Sequence, residues 1–315
     1  MKKLKIIFLG TPDFAAGILD AILKNNFDVV AVVTVADKPA GRGQQLRVSA
    51  VKEFALAHNI PILQPTNLKS EDFLKELQSF KANLQVVVAF RMLPRAVWQM
   101  PEFGTFNLHA SLLPDYRGAA PINWAIINGD AKTGVTTFFI DDKIDTGAMI
   151  LSNETSILLA DNAENLHDKL MKLGAVTVVE TLNLIASDNA VTTIQAESTL
   201  SRTAHKLNKE NCRIDWNLKG INIYNHVRGL SPYPTAWTVI KDHEKELIVK
   251  IEQVTFENET HNLDIGKIIT TKKTIKVAVK DGFIALLLLQ FPGKKKLSAD
   301  ALLNGMRFSE TATMI

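Results

Sequence analysis

The chain has 315 residues, 46% of them hydrophobic and 22% charged, which suits two domains with ordinary buried cores. Its single cysteine excludes an intramolecular disulfide and a cysteine-rich metal site, and no apolar run reaches the ~20 residues of a membrane helix. The net charge of +3 is uneven, because residues 1–200 hold 18 Lys/Arg and 21 Asp/Glu whereas residues 201–315 hold 18 and 12, a basic excess that suits either a polyanion or a solvated surface.

The first ten residues are basic and then apolar, as at the start of a signal peptide. The apolar run ends after about five residues at Thr11-Pro12, and no small-residue cleavage site follows. The pattern therefore predicts a first buried strand. With no export signal, we expect a cytoplasmic protein.

In the first half of the chain, short apolar runs alternate with helical segments. The predicted strands cover residues 4–9, 29–33, 62–63, 84–89, 105–108, 135–140 and 148–151. The predicted helices cover residues 13–24, 48–58, 69–79 and 162–187, the last with Leu166, Leu170, Leu173 and Val176 on one side. This alternation predicts an α/β domain with a mostly parallel sheet covered on both faces.

The pattern changes after about residue 190. A helix is predicted at residues 221–230, and beyond it strands at 236–240, 247–254, 266–269, 274–279 and 284–290 follow one another without helices. Such spacing is typical of a small antiparallel barrel or sandwich. We therefore expect domains at 1–190 and 209–315, joined by a linker at 191–208.

A turn after the first predicted strand is where a dinucleotide-binding enzyme would carry its glycine-rich loop. Only Gly10 is present there, so the pyrophosphate fingerprint is missing, and no phosphate-binding loop with Gly-Lys-Ser/Thr occurs. Nicotinamide and flavin chemistry are therefore disfavoured, and a plain strand-to-helix turn is the simpler interpretation.

Three polar residues that suit acyl transfer lie near the ends of apolar runs. Asn107 and His109 are two positions apart at the end of a predicted strand, so their side chains face the same side. Ligands of open parallel sheets bind at such carboxyl ends. An amide can donate to an oxyanion, and an imidazole can exchange a proton near neutral pH. Asp145 would orient His109 if the fold brought it close, although each of the three also suits a capped strand end.

Other nucleophile and metal motifs are missing. Ser111 lacks the Gly-x-Ser-x-Gly context, and the seven histidines show no spacing that demands a metal. The sequence therefore favours direct transfer to an amine without a covalent enzyme intermediate. The Gly-rich basic loop at 37–47 could grip a polyanion or be an ordinary solvated loop, and Lys294-Lys295-Lys296 is more simply an exposed turn.

Taken together, these segments resemble the methionyl-tRNA formyltransferase family over nearly the whole chain. The matching segments are Phe8–Phe14, Asp37–Gly43, Asn107–Pro114, Tyr116–Ile122, Asp145–Gly147 and Gly229–Pro234. The resemblance implies a Rossmann-like catalytic domain followed by an OB-like barrel. It also implies transfer of a formyl group from 10-formyltetrahydrofolate, a co-substrate, to the α-amine of initiator methionyl-tRNA.

The resemblance also assigns roles to particular residues. It implies a catalytic trio of Asn107, His109 and Asp145. The residues that it places against the folate are Phe90, Arg91, Met92, Leu93, Ser111, Leu112, Leu113 and Pro114, of which Arg91 and Met92 depart from a glycine-containing family pattern. The residues that it places against tRNA are Lys38, Arg42 and Lys206. We expect a monomer with no metal and no membrane partner.

Three alternatives stay open at this point. A formyltransferase acting on an amino sugar nucleotide would share the trio. A hydrolase of formyl-folate would let water replace the amine and would not need a basic second domain. An RNA-binding protein without activity would explain the charge asymmetry but not the clustered Asn, His and Asp.

Overall fold

The computed structural model describes residues 2–40, 45–196 and 202–315, and only the backbone of 38–40 and 45–47. The chain divides into two compact units. The first comprises Met1–Gly118, Thr133–Thr155 and His167–Thr203, and the second comprises Ala119–Lys132, Ser156–Leu166 and Ala204–Ile315. The domain limits expected from the sequence stay predictions. They describe parts of the chain that fold independently, whereas the two units above are defined by compactness alone.

The first eleven strands all end before residue 205. They are β1 (Lys5–Gly10), β2 (Asp28–Val33), β3 (Lys38–Ala40), β4 (Gln45–Arg47), β5 (Ile62–Leu63), β6 (Leu84–Val88), β7 (Thr105–His109), β8 (Arg117–Gly118), β9 (Lys132–Phe139), β10 (Met149–Ser156) and β11 (Thr203–Ala204). Seven of them form one sheet in the order β10-β9-β7-β6-β1-β2-β5, and β3 pairs with β4 in a separate hairpin.

The centre of this sheet is parallel. Strand β1 lies parallel between β2 and β6, β7 is parallel to β6, and β9 is antiparallel to β7. Ile6, Ile7, Phe8 and Leu9 are all at most 1% exposed, so both faces of β1 are covered. An unbroken apolar run is what a central parallel strand requires. The mostly parallel α/β fold predicted from the sequence is confirmed.

Eight helices are described. They are α1 (Asp13–Lys24), α2 (Ala50–Ala57), α3 (Glu71–Ser79), α4 (Arg95–Trp98), α5 (Pro121–Ile127), α6 (Ala163–Ala186), α7 (Gly220–Gly229) and α8 (Ala299–Leu303). The side of α6 predicted from the sequence is wrong at Val176, which is 54% exposed. The buried residue on the side of Leu166 and Leu170 is instead Thr177. Thr177 is eleven residues after Leu166, which is about three full helical turns, whereas Val176 is ten residues after it. The Thr177 hydroxyl donates to the carbonyl of Leu173 at 2.8 Å, so its burial leaves no unpaired donor.

The second unit contains an antiparallel sheet that is nearly closed into a barrel. Its strands are β12 (Ala236–Asp242), β13 (Lys245–Asn258), β14 (Ile268–Thr270), β15 (Ile275–Val279), β16 (Gly282–Gln290), β17 (Leu297–Ser298) and β18 (Thr313–Met314). The order is β14-β15-β16-β13-β12-β18, with β17 beside β16. A bridge between Lys267 and Thr313 joins β18 to the residue before β14, which brings the two edges together. The predicted barrel-like arrangement is confirmed.

Over the described ranges, no helix has both the length and the apolar character needed to cross a membrane.

Candidate active site

The carboxyl ends of three parallel strands form one edge of the first sheet. Val88 of β6 is in register with Gly10 at the end of β1 and with Leu108 near the end of β7. Asn107 and His109 therefore lie on the strand next to β6, whose following loop is 89–94. Because side chains alternate along a strand, Asn107 and His109 share one side.

His109 is held by one hydrogen bond. Its side chain is 7% exposed, and Nε2 lies 2.8 Å from the carbonyl oxygen of Tyr116. A carbonyl only accepts, so Nε2 carries the hydrogen, and Nδ1 is the nitrogen that can gain or lose a proton. The carboxylate Oδ2 of Asp145 is 3.8 Å from that Nδ1. The structure thus brings together the imidazole and the carboxylate that the sequence places 36 positions apart.

Asp145 lies in a constrained loop between β9 and β10. Its φ of +54° is in the left-handed region, which residues other than glycine adopt only uncommonly. Its Oδ2 accepts a hydrogen bond of 3.0 Å from the backbone N–H of Gly118. A Cβ on Gly147 would lie 1.7 Å from the carbonyl oxygen of Phe139, so the loop passes too close to β9 for any side chain there. Residues that are this tightly fixed in a sparsely populated conformation often occur at functional sites.

Asn107 is half-buried, and unlike His109 and Asp145 its side chain has no hydrogen-bond partner among the described residues. Among residues 2–40, 45–196 and 202–315, no group hydrogen-bonds to its carboxamide. An amide N–H donor that no described protein group uses is suited to an oxygen that gains negative charge during a reaction.

One residue of this site carried no local sequence signal. Gln195 is 5% exposed, and its Nε2 donates to the carbonyls of Asp145 at 3.0 Å and Gly147 at 2.8 Å. Its Oε1 accepts from Arg117, from Nε at 3.0 Å and from Nη2 at 2.6 Å. A glutamine in a polar stretch 50 residues beyond Asp145 gives no hint of these contacts; only the motif around Arg117 stands out in the sequence.

The predicted folate segment after β7 is a packed turn. Ser111 is fully buried, and its hydroxyl donates to the carbonyl of Asp115 at 2.6 Å. The N–H of Leu113 donates to the hydroxyl of Thr136 at 3.2 Å, and Leu113 is buried. Leu112 and Pro114 are half-buried and are the more accessible members of the segment.

The loop after β6 holds the other four predicted folate residues. Phe90 is half-buried against the apolar core that includes the buried Leu93, whereas Met92 is 68% exposed. The guanidinium of Arg91 donates to the carbonyls of Pro65 and, at 3.2 Å, Thr66. Its charged end is therefore bound to the neighbouring loop, whereas the Met92 side chain is open to solvent.

The predicted tRNA contacts are only partly described. Lys206 has an exposed side chain, and its carbonyl accepts from Asn211 Nδ2 at 3.0 Å. Arg42 lies outside the described residues, and of Lys38 only the backbone is described. Within the described part of the chain, no three His, Cys, Asp or Glu side chains gather as metal ligands would.

Comparison with known families identifies both halves of the chain. A family model described as "Formyl transferase" matches residues 4–182, and one described as "Formyl transferase, C-terminal domain" matches residues 206–307. A methionyl-tRNA formyltransferase from Flavobacterium johnsoniae is 63% identical over 312 residues, 99% of each chain. A protein of the same name from Bacteroides thetaiotaomicron is 51% identical over 317 aligned positions, 98% of each chain.

Solved structures share the fold at low identity. WlaRD, a sugar 3N-formyl transferase, has a TM-score of 0.66 at 21% identity over 94% of this chain and 100% of its own. HypX from Aquifex aeolicus, in complex with tetrahydrofolic acid, has a TM-score of 0.64 at 17% identity over 96% of this chain and 47% of its own. At such identities the likeness shows the fold and leaves the acceptor open.

Proposed function

The chain belongs to the methionyl-tRNA formyltransferase family, and we propose that Asn107, His109 and Asp145 form its catalytic centre. The enzyme formylates initiator methionyl-tRNA, a step in the initiation of protein synthesis. The observation that supports the catalytic assignment best is the 3.8 Å separation of His109 Nδ1 and Asp145 Oδ2 at the sheet edge, beside the unoccupied amide of Asn107.

We propose 10-formyltetrahydrofolate as the formyl donor. Two proteins of the same fold were crystallised with 5-N-formyl-THF and with tetrahydrofolic acid, respectively. Here the loop at 90–93 and the turn at 111–114 follow neighbouring parallel strands, where ligands of such sheets bind. Phe90, Leu112 and Pro114 would make apolar contacts with the ligand. Arg91 would act mainly by holding its loop, since its guanidinium already binds two carbonyls.

The chemistry follows from the bonds that must change. The α-amine attacks the formyl carbon, the bond from that carbon to the folate nitrogen breaks, and one proton moves from the amine to that nitrogen. The intermediate carries a tetrahedral oxyanion, which the Asn107 carboxamide and the protonated Nδ1 of His109 stabilise. Asp145, 3.8 Å from that nitrogen, orients the imidazole and assists removal of the amine proton. Loss of one such donor typically lowers a rate ~10²–10³-fold.

The tRNA would be held largely through its phosphates. Residues 201–315 carry the basic excess, and Lys206 is exposed there. With Lys38 and Arg42 of the basic loop, it would contribute phosphate contacts that weaken steeply as salt rises. We propose a monomer that acts in the cytoplasm, where charged initiator tRNA is used.

The acceptor assay tests this function against its alternatives. The protein is incubated with formyl-folate and, in separate reactions, with charged initiator tRNA, an amino sugar nucleotide or no acceptor. We expect formyl-methionyl-tRNA in the first reaction and no product above background in the other two. Preferential formylation of the sugar, or release of formate at the same rate without an acceptor, would contradict the proposal.

A further inference from the structure

We propose that Gln195 is a positioning residue for formyl transfer, acting through Asp145. Its carboxamide joins two distant parts of the sequence: the loop that contains the carbonyls of Asp145 and Gly147, and the guanidinium of Arg117. The inference rests on the catalytic role proposed above for Asp145. It adds a residue whose hydrogen bonds go to Arg117 and to the loop of Asp145, and not to His109.

The orientation of this amide is fixed by chemistry. Carbonyl oxygens only accept hydrogen bonds and a guanidinium only donates them, so Nε2 must face the two carbonyls and Oε1 must face Arg117. Both N–H donors of the carboxamide are therefore used in the loop that carries Asp145. Since Gln195 is 5% exposed, water cannot easily replace either bond.

The loop needs such support because its conformation is costly. Asp145 has a φ of +54°, a conformation that costs of order 1–3 kcal/mol and persists only where neighbouring contacts enforce it. Its Oδ2 also depends on the N–H of Gly118, the residue after Arg117. Gln195 therefore fixes the Asp145 carboxylate in two ways. It binds the backbone of the loop that carries Asp145, and it binds Arg117, the neighbour of the Gly118 donor.

Gln195→Glu separates these two sides with almost no change in shape. The carboxylate keeps both acceptor bonds to Arg117 and strengthens them with an ion pair. It has no donor for the carbonyls of Asp145 and Gly147, so the loop is repelled where it was bound. Because displacement by about 1 Å can lower a rate ~10²-fold, we expect the saturated single-turnover rate to fall about 10- to 100-fold.

A double-mutant cycle with Asp145→Ala distinguishes positioning from general damage. The four proteins are wild type, Gln195→Glu, Asp145→Ala and the double variant, with charged initiator tRNA and formyl-folate both saturating. If Gln195 acts through Asp145, adding Gln195→Glu to Asp145→Ala changes the rate less than about twofold, because contacting residues are not additive. The KM values of Gln195→Glu for both substrates should stay within about twofold of wild type, since both N–H groups and the oxygen of the Gln195 carboxamide are already bonded within the protein.

Two further variants keep the test decisive if Gln195→Glu folds poorly. Gln195→Met removes all four hydrogen bonds without adding charge, and we expect a similar loss of rate. Thr193→Val is the matched control, because Thr193 lies in the same segment, is exposed and pairs with Met149 through its backbone alone. Its rate and melting temperature should equal those of wild type.

The outcomes separate the two proposals. Wild-type rates in both folded Gln195 variants, or an undiminished effect of Gln195→Glu in the Asp145→Ala background, would overturn the positioning role alone. A rise in KM with an unchanged saturated rate would also overturn it. A wild-type rate in Asp145→Ala would instead overturn the catalytic assignment, and the role of Gln195 with it.

Discussion

The two sheets of this chain hold their polar side chains in different ways. At the edge of the first, His109, Asp145 and Gln195 are each mostly buried, and each has identified partners at defined distances. In the second, Val249, Ile251 and Val254 of β13 are buried whereas the intervening Lys250 and Gln253 are exposed, and ion pairs such as Lys276–Glu257 are partly exposed. The first arrangement depends on position, whereas the second depends on summed charge. Substitutions should therefore have large local effects in one and small, salt-dependent effects in the other.

The largest effect is expected at Asn107. Asn107→Ala removes the unoccupied donor proposed for the oxyanion, so the single-turnover rate of formyl transfer should fall ~10²–10³-fold. Its carboxamide makes no hydrogen bond to a described residue, so the melting temperature should stay the same. Rapid-quench assays with both substrates saturating measure the rate, and thermal unfolding serves as the control. A near-wild-type rate in a folded variant would remove Asn107 from the mechanism.

The loop that carries Asp145 should be the next most sensitive feature. In Gly147→Ala the new Cβ would meet the carbonyl of Phe139 at 1.7 Å, so the loop must move away from β9. We expect the free energy of unfolding to fall by at least about 2 kcal/mol and the rate of formyl transfer to fall with it. Gly305→Ala is the matched control, since nothing lies within 4 Å of its new Cβ. Equal stability of the two variants, measured by urea unfolding, would show that the close approach at Gly147 is not constraining.

A substitution in the basic loop at 37–47 should have a salt-dependent effect on binding, because each cation there adds one charge to the total. Arg42→Ala should weaken binding of charged initiator tRNA about tenfold and reduce the salt slope of log K by about 0.9, as one lost phosphate contact would. Lys69→Ala, which removes an exposed charge outside the proposed interface, should change neither. Filter binding over a salt series measures the affinity for tRNA, and a separate titration measures the affinity for folate. A folate affinity that falls as far as the tRNA affinity would contradict a role confined to tRNA.

The smallest effect concerns pH and the second unit. Burial lowers the pKa of His226, and a hydrogen bond to the backbone of Cys212 opposes this only in part. The unfolded chain then binds a proton more readily than the folded one. Stability from the neutral ring is therefore present above the ordinary pKa of about 6.5 and is lost as the pH falls below it.

Thermal unfolding of His226→Gln tests this dependence. The wild type should lose more melting temperature than the variant when the pH is lowered from about 7.5 to about 5.5, the range that spans an ordinary histidine pKa. His243→Gln is the control, because the side chain of His243 is 71% exposed. Parallel pH profiles for wild type and His226→Gln would show that the buried ring does not govern the acid response.

What the sequence predicts well is the part in which local pattern and burial agree. The run from Ile6 to Leu9 is apolar without a break, and it became a strand buried on both faces. By contrast, β17 and β18 have two residues each, and they exist only because neighbouring strands pair with them. No window of sequence contains that information. The same holds for the nearly closed barrel, whose closure depends on a bridge between Lys267 and Thr313.

The site divides along the same line. The period of a strand is enough to place Asn107 and His109 on one side. The approach of Asp145 to His109 depends on the turn between β9 and β10 and on contacts with Gly118 and Gln195. Gln195 is 50 residues from Asp145 along the chain, and its importance comes from where its two polar ends lie. The family resemblance raised the hypothesis of a trio, but only the fold gives the distance between His109 and Asp145.

Single-turnover formylation of charged initiator tRNA by wild type and Asp145→Ala tests the central claim most directly, with enzyme in excess and formyl-folate saturating. We expect the variant to remain folded, with a somewhat lower melting temperature because the Gly118 N–H loses its acceptor, and to form product at least ~10²-fold more slowly than wild type when both are fully folded at the assay temperature. A rate for Asp145→Ala within about threefold of wild type would contradict the account, because a pair 3.8 Å apart at the sheet edge would then have no part in the reaction.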